Sequence, residues 1–177
     1  MTLPTPGETL AVFHTNLGDI TLRFFSDKAP RHVEAFQKLV KEGFYNGIHF
    51  HRVIPGFMIQ GGCPNTKPGN EKKGPAGTGD AGYKLKQEFN DTKHVRGILS
   101  AARAQDPNSA GSQFFLMVAT STHLDNQYTA FGEVVTGMDV ADKIVADKIV
   151  ALKRDRSDRP LPENPAIIES AELITAI

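Results

Sequence analysis

One arginine and one glutamine stand out in an apolar run, because their spacing could bring two polar side chains together. Arg52 and Gln60 lie at equal distances on either side of Gly56. If the chain reverses at Gly56, they oppose each other on adjacent antiparallel strands and share a face, since strand side chains alternate. With Phe57 and Met58 beside them, a guanidinium and a primary amide would form an apolar cleft with a few oriented hydrogen-bond donors. The pattern predicts a site that holds an amide between hydrophobic walls, with no evident nucleophile or metal cage.

A second apolar segment carries a glutamine that could face the same cleft. The run at 114–118 has the composition of a buried strand. Strand alternation places Gln113, Phe115 and Met117 on one face and the intervening residues on the other. On this pattern alone, each apolar residue of such a strand would be interpreted as an ordinary core residue. The pattern therefore predicts a shared face but not a role.

These segments and a third one resemble, in order, the signature of the cyclophilins, which are peptidyl-prolyl cis–trans isomerases. The resemblance covers roughly residues 10–173. Its motifs are FHRVIPGFMIQGG at 50–62, GILSAARA at 97–104 followed by GSQFF at 111–115, and HLD at 123–125 followed by FGEVV at 131–135.

The resemblance implies a mainly β fold, a closed eight-stranded antiparallel β-barrel capped by two α-helices, with the active site on its outer surface. It also implies catalysis of rotation about X-Pro bonds in unfolded or flexible protein segments, which assists protein folding. The partners it implies are proline-containing polypeptides, and it implies no cofactor and no metal.

The chemistry of X-Pro rotation explains why an arginine could suffice. Rotation about an amide meets a barrier of about 18–20 kcal/mol, because the nitrogen lone pair is conjugated with the carbonyl. No bond is broken, so neither a nucleophile nor a general base is needed. A cation that donates a hydrogen bond toward the proline nitrogen favours the twisted state over the planar one, which is differential binding of the transition state. Arg52 is the predicted catalytic donor, because its guanidinium stays charged and offers several fixed N–H directions.

The same resemblance implies the other site residues. An apolar pocket would hold the proline ring, and two glutamines would orient the carbonyl and N–H groups of the substrate. Ala102 and Arg103 would line the groove for the residues that precede proline, and the loop at 77–79 resembles the border of a neighbouring pocket. The predicted substrate-binding residues are His51, Phe57, Met58, Gln60, Ala102, Arg103, Gln113, Phe115, His123, Leu124 and Tyr128.

Three of these residues depart from the pattern of many family members. His123 stands where many eukaryotic members have a tryptophan that helps to bind cyclosporin, so we expect only weak cyclosporin binding. Tyr128 occupies a position that is often histidine, and it keeps a ring with a polar tip. Arg103 replaces a common asparagine and resembles the bacterial-type members. A cationic rim there could favour acidic or polar residues before proline.

Hydrophobic periodicity and turn residues predict the elements that would position these side chains. A hairpin is predicted at 10–15 and 19–24, a helix at 30–42, buried strands at 98–101 and 114–118, a second helix from 138 to about 145, and a closing strand at 166–173. A long surface loop rich in Gly, Pro and charge is predicted at 64–82. The pentapeptide ADKIV occurs at 141–145 and again at 146–150, where it could extend the helix or begin a strand.

Length and composition narrow the class of protein. At 177 residues, with 40% hydrophobic and 23% charged residues, the chain is predicted to form one domain at 9–177 after a flexible lead-in at 1–8. A formal net charge of zero gives no electrostatic reason to expect nucleic acid or anionic membrane as a partner. No run approaches the roughly 20 apolar residues of a membrane span. A single cysteine and the absence of a visible secretory signal favour a cytoplasmic protein, and we expect a monomer.

Two other kinds of site are weaker interpretations of the same residues. His49 and His51 would lie on one strand face, but a third and fourth metal ligand at tight spacing are missing. Cys63 lacks a recognisable signature of a nucleophile and is better interpreted as a small residue at the border of the loop.

The main alternative is a binding module that holds proline-containing segments without isomerising them. Cyclophilin-like domains that lack the catalytic arginine are examples of that class. The presence of Arg52 together with the predicted pocket favours the enzyme. Replacing Arg52 by alanine separates the two, because an enzyme should lose turnover whereas a pure binder should keep most of its peptide affinity.

Overall fold

Nine strands and two α-helices make up the part of the chain that the computed structural model describes, residues 2–147 and 165–177. Short 3-10 turns occur at Pro64–Thr66, Glu71–Lys73 and Thr122–Leu124. The longer elements, in chain order, are β1 (Thr9–Thr15), β2 (Gly18–Phe24), α1 (Pro30–Lys41), β3 (Ile48–His49), β4 (Arg52–Ile54), β5 (Met58–Gly61), β6 (Ile98–Ala101), β7 (Phe114–Met117), β8 (Ala130–Thr136), α2 (Met138–Ala146) and β9 (Ile167–Thr175).

The strands form one antiparallel sheet that curls strongly. Their order across the sheet is β3-β9-β1-β2-β8-β6-β7-β5-β4. Four inter-strand steps separate β1 from β7, which in a flat sheet would be about 19 Å at roughly 4.8 Å per step. The ring centroids of Phe13 on β1 and Phe114 on β7 are nevertheless 5.4 Å apart. The sheet must therefore bend round until these two strands face each other across a common interior.

The prediction of a closed eight-stranded barrel is not confirmed in its details. The described residues form nine strands rather than eight, and within them no ladder joins the two end strands, β3 and β4. These end strands contain two and three residues, because the chain leaves the sheet at residues 50–51 between them. What holds is the coarser prediction of a mainly β, curled antiparallel sheet with two helices.

The period of two along the strands divides the apolar residues between the interior and the outer surface. Phe114 and Leu116 belong to the interior core, which includes residues from all nine strands of the described chain. Phe115 and Met117 belong to a second, smaller cluster on the opposite face. The predicted alternation on β7 is thus confirmed. The second cluster contains Met58, Ile98, Ala102, Phe115, Met117, Leu124 and Ala130.

Helix α1 begins and ends close to the predicted residues. Pro30 occupies its first turn, and Gly43 follows its end with a φ of +71°, in the left-handed region that favours glycine. The predicted stripe is buried and faces the core: Val33, Phe36, Leu39 and Val40. The Glu88 carboxylate accepts hydrogen bonds from the backbone N–H groups of Arg31 and His32, which replaces a conventional capping side chain.

The second helix resolves part of the question about the tandem pentapeptide. The first copy of ADKIV lies within α2, and Ala146, which opens the second copy, is the last helical residue. The remainder of that copy beyond Asp147 lies outside the described residues.

The amino-terminal segment lies beside the last strand. The Gly7 N–H donates to the Ala176 carbonyl, and the Glu8 carboxylate accepts from Arg23 on β2. The flexibility predicted for residues 1–8 stays a prediction. None of the helices in the described ranges is long and apolar enough to cross a membrane.

Candidate active site

The β4–β5 hairpin places the predicted arginine and glutamine as the sequence indicates. Arg52 pairs directly with Gln60, and the ladder continues to Ile54 opposite Met58. The reversal includes Gly56 with a φ of +71°, and the Phe57 N–H donates to the Ile54 carbonyl at 3.1 Å. A residue other than glycine would be strained there. The predicted register is confirmed, and both polar side chains lie on the outer face of the sheet beside the second apolar cluster.

These side chains border a cavity of about 290 Å³. Ten of the twelve predicted site residues line it, and the two that do not are Gln113 and His123. Its described lining includes no serine, cysteine or carboxylate. The lining residues are His51, Arg52, Phe57, Met58, Gln60, Ala76, Gly77, Ala102, Arg103, Phe115, Leu124 and Tyr128.

Two arginines line the cavity, and their guanidinium groups differ in what they contact. Within the described residues, no side chain or carbonyl accepts a hydrogen bond from the half-buried side chain of Arg52. Every guanidinium nitrogen of Arg103 donates to a backbone carbonyl, at distances of 2.6–3.2 Å. Only Arg52 therefore has all of its donors available to a bound molecule.

Phe115 forms part of the apolar wall and is supported from behind by a buried histidine. The ring of His94 stacks against it with centroids 6.1 Å apart. The Nδ1 atom of His94 lies 3.1 Å from the Asp125 carboxylate, and its Nε2 lies 2.9 Å from the Ser100 hydroxyl. Burial lowers the pKa of His94 despite the opposing effect of Asp125, so the neutral ring donates from Nδ1 and accepts from Ser100 at Nε2. The wall is thereby held in one orientation.

Gln113 lies outside this cavity but sets the orientation of Gln60. Its Nε2 donates to the carbonyls of Gly77 and Gly79, at 2.9 and 2.8 Å, which fixes the direction of the amide. Its Oε1 is then free to accept from Gln60 Nε2 at 3.1 Å. Gln60 keeps its carbonyl oxygen and one N–H for a bound molecule.

The loop that contains these glycines is held from its other side by a buried thiol. Cys63 Sγ accepts hydrogen bonds from the backbone N–H groups of Gly77 and Gly79, at 3.2 and 3.3 Å. The prediction of Cys63 as a loop-border residue fits this position. Its link to Gln113 through the loop could not be found from the sequence, because the contact depends on the conformation of the loop at 64–82.

A second cavity of about 290 Å³ adjoins the first and shares Gln60, Gly77, Ala102 and Arg103 with it. Sequence reasoning identified only the loop at 77–79 and Gln113 among its other residues. For three of the remaining residues, the only available signal was membership of the GILSAARA and GSQFF motifs or of the predicted loop at 64–82. The residues to which sequence reasoning gave no role lie on loops with no periodic pattern. They are Asp80, Lys84, Ala104, Ser109 and Gly111.

His123 lies beside the cavity rather than in it. Its ring stacks on Phe57 with centroids 5.9 Å apart and an interplanar angle of 29°. It therefore supports the outer edge of the apolar wall. His49, which the sequence analysis paired with His51 as a hypothetical metal site, has a pKa lowered by burial. Across the described ranges, no three His, Cys, Asp or Glu side chains form a group that could hold a metal ion.

The comparisons with known proteins identify the family. Residues 10–173 match the family described as cyclophilin type peptidyl-prolyl cis-trans isomerase/CLD, which is nearly the whole chain. The chain belongs to the cyclophilin family.

Curated and structural relatives of this cyclophilin agree with the match. Peptidyl-prolyl cis-trans isomerase B of Escherichia coli is 43% identical over 170 residues, covering 91% of this chain and 97% of that protein. A probable peptidyl-prolyl cis-trans isomerase of Brucella abortus is 48% identical over 142 residues, covering 77% of this chain and 71% of that protein. The enzyme class is therefore peptidyl-prolyl cis–trans isomerase.

Among solved structures, a cyclophilin-type isomerase of Cryptosporidium parvum superposes with a TM-score of 0.80 at 28% identity, covering 94% of this chain and 99% of that one. It was crystallised in the presence of the dipeptide Ala-Pro. The cyclophilin fold of the described chain is thus supported independently of the sequence motifs.

Proposed function

We propose that this cyclophilin isomerises X-Pro bonds of unfolded or flexible segments by a non-covalent mechanism in the cavity of about 290 Å³. The cavity combines an apolar wall with a guanidinium that has no internal partner in the described chain. The Ala-Pro dipeptide present with the C. parvum relative has the chemistry that such a cavity would accept. Protein segments that contain proline are therefore the proposed substrates.

Arg52 is the proposed catalytic residue. A planar amide nitrogen is a poor hydrogen-bond acceptor, whereas the nitrogen of a twisted X-Pro bond has a localised lone pair. A donor aimed at that nitrogen binds the twisted state more strongly than either planar state and so lowers the barrier. Each 1.4 kcal/mol or so of this preference gives about a tenfold acceleration. This assignment rests on one observation, the guanidinium N–H groups of Arg52 that have no acceptor in the described chain.

The remaining residues hold the substrate while it rotates. Phe57, Met58, Phe115 and Leu124 form the apolar surface proposed for the proline ring, and burial of that ring supplies the affinity. Gln60 is proposed to bind the polar atoms of the substrate backbone through the carbonyl and the N–H that Gln113 leaves free.

A proline-binding module without turnover is the alternative, and the unengaged arginine argues against it. Binding alone would need only the apolar wall and the amide of Gln60. A half-buried cation without a partner weakens binding to a purely apolar pocket, because the free-energy cost of its desolvation is not offset by a hydrogen bond. A hydrogen bond to the developing lone pair of the twisted amide offsets that cost.

Nuclear magnetic resonance with the tetrapeptide Ala-Ala-Pro-Phe tests the proposed location and activity together. We expect the peptide to shift the amide signals of Arg52, Phe57 and Phe115, and we expect catalytic amounts of protein to speed exchange between its cis and trans signals. Shifts confined to a surface away from the cavity, or unchanged exchange, would contradict the proposal. A matched titration with Ala-Ala-Ala-Phe controls for binding that does not need proline.

We further propose a monomer that acts in the cytoplasm and binds cyclosporin weakly. His123 is the reason for weak cyclosporin binding, because it stands where many eukaryotic members of the family have a larger tryptophan. A titration with cyclosporin, followed by inhibition of the isomerase activity, measures this directly. Tight inhibition would contradict the proposal.

A further inference from the structure

Arg103 borders the cavity but is bound to the protein itself. Its Nε and Nη2 both donate to the Gln127 carbonyl, at 3.0 and 2.6 Å. Its Nη1 donates to the carbonyls of Ala104 and Gln105, at 3.0 and 3.2 Å. One side chain therefore joins two loops, the one that follows β6 and the one that precedes β8.

The guanidinium also packs on an aromatic wall of the cavity. Its central carbon lies 4.5 Å from the centroid of the Tyr128 ring, in the geometry of a cation–π contact. The Tyr128 ring in turn meets Phe115 edge-on, with centroids 5.6 Å apart and an interplanar angle of 85°. Arg103, Tyr128 and Phe115 thus form a continuous series of contacts from the loop carbonyls to the apolar pocket.

We propose that Arg103 is a positioning residue that holds Tyr128 against Phe115 and so fixes the width of the pocket for the proline ring. This inference rests on the proposed function of the cavity. It replaces the hypothesis that a cationic rim selects acidic residues before proline. A guanidinium that is satisfied by three carbonyls and an aromatic face has little left to offer a substrate carboxylate.

The required geometry is specific to arginine. A planar guanidinium can donate sideways to carbonyls of two loops while its face lies on a ring. Lysine keeps the positive charge, but its compact ammonium cannot make both sets of contacts at once. Charge recognition and positioning therefore predict opposite results for Arg103→Lys.

Steady-state isomerisation kinetics distinguish the two roles. The substrates are Ala-Ala-Pro-Phe, Ala-Glu-Pro-Phe and Ala-Lys-Pro-Phe, and the variants are Arg103→Lys and Arg103→Ala. We expect both variants to raise KM about two- to tenfold for all three peptides, with kcat nearly unchanged. Arg31→Lys, the same exchange on the exposed start of α1, is the matched control and should leave KM unchanged. A wild-type KM in Arg103→Lys, or a loss confined to the glutamate peptide, would overturn the proposal.

A double-mutant cycle tests whether Arg103 acts through Tyr128. In a Tyr128→Ala background, Arg103→Ala should change KM by less than about twofold, because the ring that it positions is gone. An equal effect in both backgrounds would contradict the proposal.

The ring resonances of Tyr128 in the peptide-free protein test the positioning role of Arg103 without relying on isomerase activity. We expect Arg103→Lys to shift the ring resonances of Tyr128 and to speed its ring flips, whether or not the protein isomerises the peptides. Unchanged Tyr128 resonances in folded Arg103→Lys would overturn the positioning role. Failure of the wild type to isomerise any peptide, with Tyr128 shifted, would instead overturn the proposed function alone.

Discussion

At the scale of single residues, the site depends on which polar groups are already satisfied. Arg52 and Arg103 have the same side chain, yet of the two only Arg103 donates to backbone carbonyls within the residues that the structure describes. Strand periodicity predicts from the sequence that Arg52 and Gln60 share a face. It cannot predict that the side-chain amide of Gln113 donates to the carbonyls of Gly77 and Gly79, because the conformation of the loop depends on contacts distant in sequence.

The amide of Gln113 provides a residue-scale prediction. Gln113→Glu removes the two donors to the Gly77 and Gly79 carbonyls and places a carboxylate beside them. We expect KM for an X-Pro tetrapeptide to rise about tenfold, since roughly 1.4 kcal/mol of binding is the usual consequence of one or two lost hydrogen bonds. Gln37→Glu on α1 is the matched control. An unchanged KM for Gln113→Glu would mean that this amide does not set the orientation of Gln60.

At the scale of elements, the sequence predicts the regular parts and fails on the connections. The β1–β2 hairpin, α1, the start of α2 and β9 all lie close to their predicted residues, because each carries a clear periodicity and a turn signal. The described residues form nine strands where the resemblance implies eight, and β3, with only two residues, has no pattern of its own by which the sequence could predict it. The second cavity was largely missed for the same reason.

Gly62, just after β5, offers an element-scale test of how the chain brings Gln113 into place. It has a φ of +91°, and an added Cβ would collide with the Ser112 carbonyl oxygen. We expect Gly62→Ala to lower the free energy of unfolding by about 3 kcal/mol or more, measured by urea denaturation, since backbone strain and a backbone clash combine.

Gly69→Ala is the matched control for Gly62→Ala. Gly69 has a similar φ of +88°, but no atom lies within 4 Å of the added Cβ. Only the strain of about 1–2 kcal/mol should remain there. Equal losses in the two variants would show that the close approach of residues 62 and 112 contributes nothing.

At the scale of the whole molecule, buried histidines link stability to pH. Burial lowers the pKa of His32 despite its hydrogen bond to Glu88, and it lowers the pKa of His94 despite Asp125. Burial raises the pKa of Glu88, but hydrogen bonds from the His32 ring and from backbone N–H groups outweigh this and leave it below its usual value. The native state is therefore built around neutral histidines and an ionised carboxylate.

The sign of the pH dependence follows from these directions. Below the ordinary histidine pKa of about 6.5, the unfolded chain binds protons that the native His32 and His94 resist. We expect the urea concentration at the unfolding midpoint to decrease as the pH is lowered from about 7.5 to about 5.5. It should decrease further at lower pH, where Glu88 is protonated. His14, whose pKa is raised by Glu172 and Asp19, acts in the opposite direction, but its side chain is partly exposed and its interactions are screened by solvent. A midpoint that rises on acidification would contradict this account.

Arg52 is proposed to supply the catalysis rather than the affinity. The most direct test measures kcat by cis–trans exchange spectroscopy and the Kd of the same X-Pro peptide, in wild type and Arg52→Ala. We predict that the variant loses about 100-fold or more in kcat, equivalent to roughly 2.7 kcal/mol of transition-state binding, while Kd changes less than about threefold. A variant that keeps its kcat, or that loses affinity and turnover in equal proportion, would contradict the account.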